Sequence, residues 1–252
     1  MSTEQLTDAI IAHADAIEAR LGPPGPDPSI EHVPVGTDPL VHQIVYSMLL
    51  WDACHELAGR ALAQLRQSVV DFNELRVCSG AELRDLLPRD CPHKDERTSR
   101  LLATLNDVFV REHGLNMAGV SAMPKREARQ YLDTLAGLPQ FAAARVMLVA
   151  LGGHAFPVDG RIGRQLRAAG LIGSDGATPD EIGSRLERAV RAADAPRVYA
   201  LLEADAAANP AEATARKRTT TRSPARSRKN ASANGEAAGS EAATPKNDGT
   251  DA

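Results

Sequence analysis

Residues 131–164, YLDTLAGLPQFAAARVMLVALGGHAFPVDGRIGR, decide the fold. The pattern predicts two helices joined by a tight turn around Gly137, then a loop that ends at Asp159 and a further helix. Asp159 is the only acidic residue between Asp133 and Asp175. Because aspartate is a preferred residue directly before a helix, Asp159 is a candidate N-cap. It is equally a candidate for chemistry, and the two roles are compatible.

Helical patterns continue on both sides of this stretch. Residues 3–21 form an amphipathic pattern that ends at Gly22, and residues 40–65 are apolar almost all round, which predicts a buried central helix followed by a second one. Further helices are predicted within residues 79–88, 94–114, 178–193 and 196–209. No segment has a strand alternation. The sequence therefore predicts an all-α fold of about nine helices.

Composition divides the chain into three parts. Residues 1–37 read as an N-terminal helix and a Pro-rich linker, residues 38–209 as the folded domain, and residues 210–252 as a tail without Leu, Ile, Val, Phe, Tyr or Trp. Such a tail is predicted to be disordered because it has no apolar area to bury. Its segment 216–229 has seven Lys or Arg and no acid, which fits a solvated tail and a phosphate-binding arm equally well.

Charge and cysteine content exclude several classes of protein. Residues 40–209 carry 20 basic and 21 acidic groups, a net charge of −1, so overall charge gives this region no case for nucleic-acid binding. Cys54, Cys78 and Cys91 are far apart, which predicts reduced thiols rather than disulfides or a metal site. No apolar run approaches the roughly 20 residues of a membrane span, and no signal-peptide pattern is present. We expect a soluble, cytoplasmic protein without metal or cofactor.

Four motifs in order resemble the helix-hairpin-helix DNA glycosylase superfamily, the endonuclease III-like base-excision repair proteins. LVHQIVYSMLLWDACHELAGRALAQL is similar to the first core helix pair, and RTSRLLATLNDVFVREHG to the helix before the hairpin. LDTLAGLPQFAAARVMLVALGG is similar to the family's L-x-x-L-P-G-V-G-x-x-T-A hairpin, and HAFPVDGRIGR to its V-D-x-x-I-x-R segment. The resemblance implies a two-lobed helical domain over residues 38–209 that binds double-stranded DNA.

The resemblance also assigns roles to residues. Asp159 matches the carboxylate that assists departure of a flipped-out damaged base. Gly137 and Leu138 match the hairpin positions whose N–H groups bind phosphate, with Gln140 beside them. Trp51, the only tryptophan, falls near the position of the side chain that fills the vacated base stack. Core packing is the alternative role for Trp51.

Several cations are further DNA-binding candidates. Arg161, Arg164 and Arg167 recur every three residues and share one helix face, which fits phosphate contacts or a solvated surface. Lys94, Arg97 and Arg100 lie at a helix start, where cations do not complement the dipole. That placement indicates an external anion such as DNA, and Arg97 is the predicted contact.

Three departures from the family pattern limit the predicted activity. Phe141 stands where bifunctional members have a nucleophilic lysine, so Schiff-base lyase chemistry is predicted to be absent. Pro139 replaces the second hairpin glycine and removes one N–H donor. Residues 186–252 contain no cysteine, so the family's iron–sulfur cluster is not expected.

The sequence thus predicts a monofunctional DNA glycosylase, monomeric and nucleoid-associated. Two alternatives remain open. One is a catalytically inactive relative that binds DNA or another protein, and the other is an all-α interaction module without nucleic acid.

Overall fold

The computed structural model describes residues 2–31, 33–173 and 176–209. Within these ranges the chain is helical and contains no strand, which confirms the predicted all-α class. The helices are α1 (Thr3–Leu21), α2 (Pro28–Glu31), α3 (Pro39–Leu50), α4 (His55–Ser68), α5 (Phe72–Val77), α6 (Gly80–Leu86), α7 (Lys94–Glu112), α8 (Ala118–Ala122), α9 (Lys125–Asp133), α10 (Gln140–Arg145), α11 (Gly160–Ala168), α12 (Pro179–Ala189) and α13 (Ala195–Ala208). The predicted tail 210–252 and its basic segment 216–229 lie outside the described residues.

Helix starts follow the capping residues in the sequence. Ser79 and Thr178 each accept the backbone N–H of the glutamate three residues later, and Glu82 and Glu181 bond back to the cap N–H. These reciprocal bonds satisfy N–H groups that have no partner inside the helix. The predicted starts near residues 79 and 178 are therefore confirmed.

The prediction of about nine helices was low because three short ones were missed. α2, α5 and α8 have four to six residues each, too few for a periodic pattern to be visible. The apolar helix after the hairpin also changes character, since α10 continues as a π-helical turn over Val146–Ala150. Such turns are rare and are found often at functional sites.

The core is built around α3, in which every residue from Leu40 to Leu50 is buried. α3 packs against α4, α7, α10 and the π-helical turn. The prediction of a buried central helix is confirmed. α1 packs against α12 and α13, so the N-terminal helix is part of the same compact unit.

The hairpin between α9 and α10 is fastened to α7. Gly137 has a φ of +79°, and a Cβ on it would lie 2.6 Å from the carbonyl oxygen of Arg100. Only glycine allows this approach. Thr104 donates its hydroxyl to the carbonyl of Ala136 at 2.9 Å, and Asp107 accepts the N–H of Ala136 at 2.8 Å. The hairpin that the sequence predicts is therefore present and is bonded to α7.

Residues 22–31, the N-terminal arm, are tied to the core by a buried cation. Arg145 is fully buried, and its guanidinium pairs with Asp27. The same group donates to the hydroxyls of Ser29 at 3.1 Å and Ser47 at 3.0 Å.

None of the helices in the described part of the chain is both long and apolar enough to cross a membrane.

Candidate active site

Asp159 is the N-cap of α11, as its sequence position predicts. Its Oδ1 accepts the N–H groups of Arg161 and Ile162, both at 2.9 Å, and its Oδ2 accepts the N–H of Asp52 at 3.0 Å. The residue is only 1% exposed. Burial raises the pKa of Asp159, and the Arg161 guanidinium, 4.0 Å from Oδ2, opposes that rise.

A second buried carboxyl lies beyond Arg161. Arg161 donates Nη2 to Oε1 of Glu203 at 3.0 Å, and Glu203 is 2% exposed. Burial raises the pKa of Glu203 to about 8, although Arg161 acts in the opposite direction. Sequence reasoning missed Glu203; its place one helical turn after Tyr199, on a face that is otherwise buried, was the available signal.

A first cavity, here called the hairpin cavity, has a volume of about 380 Å³. It brings together Trp51, Leu138, Gln140 and Phe141, which the sequence analysis connected, and adds Arg100. Its wall includes both neighbours of Asp159 in the chain, Val158 and Gly160, together with Asp52, Pro139, Pro179 and Asp180. Phe141, which stands at the position of the family's lysine, is 3% exposed and forms part of the wall.

Trp51 packs against the core and also lines this cavity. It is half-buried, and its ring stacks on His93 with a centroid distance of 5.4 Å. The Arg100 guanidinium lies 5.5 Å from the centre of the Trp51 ring. Trp51 therefore contacts both an imidazole and a cation and remains partly exposed.

A second cavity of about 610 Å³, here called the α11 cavity, adjoins Asp159 through Asp52 and Arg161. Four side chains that line it have a buried polar atom without a hydrogen-bond partner among the described residues. These atoms are His13 Nε2, Asp52 Oδ1, Arg161 Nη1 and Gln165 Oε1. Buried polar atoms are normally paired, so this concentration of unpaired donors and acceptors marks the cavity as unusual.

Arg97 does not lie where the sequence analysis placed it. Its side chain is fully buried, and its guanidinium donates to the carbonyls of Met48 and Trp51 while Nε donates to Pro92 at 3.2 Å. Arg97 thus satisfies the carbonyls at the end of α3, which contradicts its predicted DNA contact. The partners lie 46 and 49 residues away in sequence, so local sequence could not reveal them.

The other cations at the start of α7 also have internal partners. Lys94 donates to the carbonyl of Leu87 at 2.9 Å, and Arg100 pairs with Glu96 at 2.8 Å. A cation at a helix start therefore does not require an external anion in this protein, because its partners are internal.

The three arginines of α11 do not form one exposed stripe. Arg161 is 11% exposed at its side chain and bound to Glu203, and Arg167 donates to the carbonyl of Ala177. Arg164 is the exposed member of the three and lines the α11 cavity. The spacing of three residues spreads them around the helix because 3.6 residues make a turn.

The hairpin itself offers few free donors. The N–H of Leu138 donates to the carbonyl of Leu135 at 3.3 Å, and Pro139 has no N–H. Gln140, at the start of α10, is exposed.

His154 contacts the carbonyl of Val190 through Nε2 at 3.0 Å, which fits a structural role. Among the described residues, no group of three or more His, Cys, Asp or Glu side chains is arranged to hold a metal ion.

Solved DNA glycosylases share this fold. A trapped covalent complex of endonuclease III with DNA aligns with a TM-score of 0.57 and 15% identity over 81% of this chain and 85% of that chain. A thermostable thymine-DNA glycosylase aligns with 0.55 and 15% over 82% and 88%, respectively. The H. pylori 3-methyladenine DNA glycosylase bound to 1,N6-ethenoadenine aligns with 0.52 and 12% over 84% and 99%.

No protein-family model and no curated protein sequence matches this chain. The protein therefore has the helix-hairpin-helix DNA glycosylase fold, as the motifs predict, at low sequence identity to these structures.

Proposed function

We propose that this protein binds double-stranded DNA and releases a damaged base by hydrolysis of the N-glycosidic bond, with Asp159 as the catalytic carboxylate. The observation that carries the proposal is the position of Asp159 beside both cavities, in a fold that solved DNA glycosylases share. A carboxylate in a low-dielectric site stabilises the positive charge that develops on the sugar as the base leaves. Its helix N-terminus keeps it oriented without further reorganisation.

The α11 cavity is the proposed site for the extruded base. Asp52 Oδ1 and Gln165 Oε1 supply acceptors without a hydrogen-bond partner there, and Arg161 Nη1, which lies 4.0 Å from Oδ2 of Asp159, supplies a donor without one. Base edges present donors and acceptors of the same kind. A Gln165→Leu substitution should weaken base release because it removes one of these groups. Asp90→Asn is the matched control, since Asp90 lines the same cavity but is 58% exposed and paired with Arg60.

Binding of the DNA duplex is assigned to residues at the surface of the site. Gly137, Leu138 and Gln140 lie on the hairpin, Trp51 is the proposed wedge, and Arg164 is an exposed cation. The charged residues of the hairpin cavity are one cation, Arg100, and two carboxylates, Asp52 and Asp180. This lining is not basic, so phosphate affinity is assigned largely to segment 216–229.

Strand cleavage through a Schiff base is not part of the proposal. The described residues contain two lysines, and each donates to a carbonyl: Lys94 to Leu87 and Lys125 to Leu151. Borohydride trapping on abasic DNA should give no covalent adduct with residues 124–152. An adduct mapped to that span would contradict the assignment of Phe141.

The second candidate is a catalytically inactive DNA-binding or protein-interaction module. It is favoured by the coverage of Asp159, which is 1% exposed, and by the missing donor at Pro139. The test is base release by the purified protein from a panel of damaged duplexes, with duplex binding measured in parallel. Release from one lesion that is lost in Asp159→Asn supports the glycosylase. Duplex binding without release from any lesion supports the second candidate. We expect the protein to be monomeric in both cases.

A further inference from the structure

The carboxylate of Asp159 is covered by the turn at residues 51–53. The N–H of Asp52 occupies Oδ2, and the exposure of 1% leaves no surface for a DNA sugar to contact. Substrate contact by Asp159 therefore requires this turn to move. The residues that hold the turn in place control access to the carboxylate.

Two strained residues meet at this turn. Asp52 and His93 have φ values of 54° and 53°, and only one further non-glycine residue in the described ranges, His113, has a positive φ. The left-handed region is unfavourable for a non-glycine residue because its Cβ comes too close to the following carbonyl oxygen. Such strain persists only where the surroundings enforce it, and it is found often at functional sites.

His93 contacts both of the first two residues of the turn. Its Nε2 lies 3.2 Å from Oδ2 of Asp52, and its ring stacks on Trp51 at an interplanar angle of 22°. The other carboxylate oxygen, Asp52 Oδ1, is buried without a partner. Among the described residues, His93 is thus the one polar partner of the Asp52 carboxylate.

We propose that His93 is a positioning residue that acts through Asp52 and Trp51 to hold the 51–53 turn closed over Asp159. The proposal rests on the proposed function only for the role of Asp159. The contacts of His93 with Trp51 and Asp52, here called the latch, are a property of the free protein. Loss of the His93 contacts frees the Asp52 side chain and the Trp51 ring. The Asp52 N–H then leaves Asp159 more often, and the carboxylate becomes accessible.

The test uses His93→Asn in the full-length protein. Asparagine tolerates the left-handed region well, so the backbone preference is retained while the ring and its reach are lost. The matched control is His113→Asn, because His113 is exposed, has a φ of 55° and lies at the opposite end of α7.

Two measurements without DNA report on the latch. Trp51 is the only tryptophan, so acrylamide quenching of fluorescence excited at the long-wavelength edge of the indole band, where the three tyrosines do not absorb, reports on its ring alone. Hydrogen exchange of the Asp52 amide reports on its bond to Asp159. In His93→Asn we expect stronger quenching and amide exchange faster by up to about tenfold, the equivalent of one hydrogen bond. His113→Asn should match wild type in both.

Unchanged exchange of the Asp52 amide in a folded His93→Asn protein would overturn the proposal, whether or not the quenching of Trp51 changes. Quenching alone would mean that His93 only packs on the ring. Because neither measurement needs base release, failure of the proposed function is distinguishable. A working latch in a protein that releases no base would defeat the glycosylase assignment alone.

Discussion

Replacing Asp159 by Asn separates its capping role from its charge. Asparagine caps helices about as well as aspartate, so its oxygen can keep the bonds from Arg161 and Ile162. Its NH₂ group then faces the N–H of Asp52, which loses its acceptor inside the protein. An unpaired buried donor costs about 1–3 kcal/mol. Part of this cost is offset because asparagine carries no charge, so the desolvation of the carboxylate that raises the pKa of Asp159 is absent. We expect a folded protein that is destabilised by about 1–2 kcal/mol.

Base release by Asp159→Asn should fall by about 10²-fold or more, the scale of losing a positioned acid–base group. Single-turnover release on the best lesion and urea unfolding at the same pH measure the two effects. The control is Asp180→Asn, which removes the same charge from an exposed position on the hairpin cavity. Wild-type release by a well-folded Asp159→Asn protein would refute the catalytic role, and an equal loss in Asp180→Asn would show that only the charge of the cavity matters.

Three further predictions concern stability and DNA binding. Because the pKa of Glu203 is raised from 4.5 to about 8, the folded state retains a proton that the unfolded state loses, so the contribution of Glu203 to the free energy of unfolding should fall as pH rises from about 5 to 8. His42 and His55, whose pKa values burial lowers to about 4, act in the opposite direction below about pH 6.5. Glu203→Gln removes the contribution of Glu203 alone, so its free energy of unfolding, measured with urea across that range, should fall less with rising pH than that of wild type; equal slopes would contradict the shift. Gly137→Ala should destabilise the protein by at least about 2 kcal/mol, and more than Gly152→Ala, which has a φ of +59° but open space around it. Equal losses of stability in the two variants would mean that the close approach of Gly137 to Arg100 adds nothing to the cost of the positive φ. Truncation at Pro210 should weaken duplex binding and lower its salt dependence by up to about 0.9 log–log units per lost phosphate contact, and equal slopes would exclude segment 216–229 from binding.

Local sequence predicted those features that local physics sets. Ser79 and Thr178 start helices because their capping partners lie three residues away, and Asp159 caps α11 by the same rule. The hairpin was predictable from Gly137, although its fit against α7 was not.

The role of the buried charges was not predictable from sequence. Arg97 was assigned to DNA because its position at a helix start suggests an external anion. Its guanidinium instead donates to carbonyls at the end of α3, which lie close to it only because α3 and α7 pack together. The burial of Glu203 could be inferred from its helix face, but its pairing could not, since its partner Arg161 is 42 residues away. Long-range polar contacts of this kind depend on how helices pack, which periodicity does not encode.

The pairing of Arg145 with Asp27 limits which substitutions related sequences can accept at these two positions. The two residues lie 118 positions apart, and Arg145 is fully buried. Removing one partner of a buried pair costs about 3–5 kcal/mol, whereas replacing both by apolar residues is often neutral. In related chains, positions 27 and 145 should therefore change together or not at all. A homologue with leucine or methionine at position 145 is expected to lack the acid at position 27.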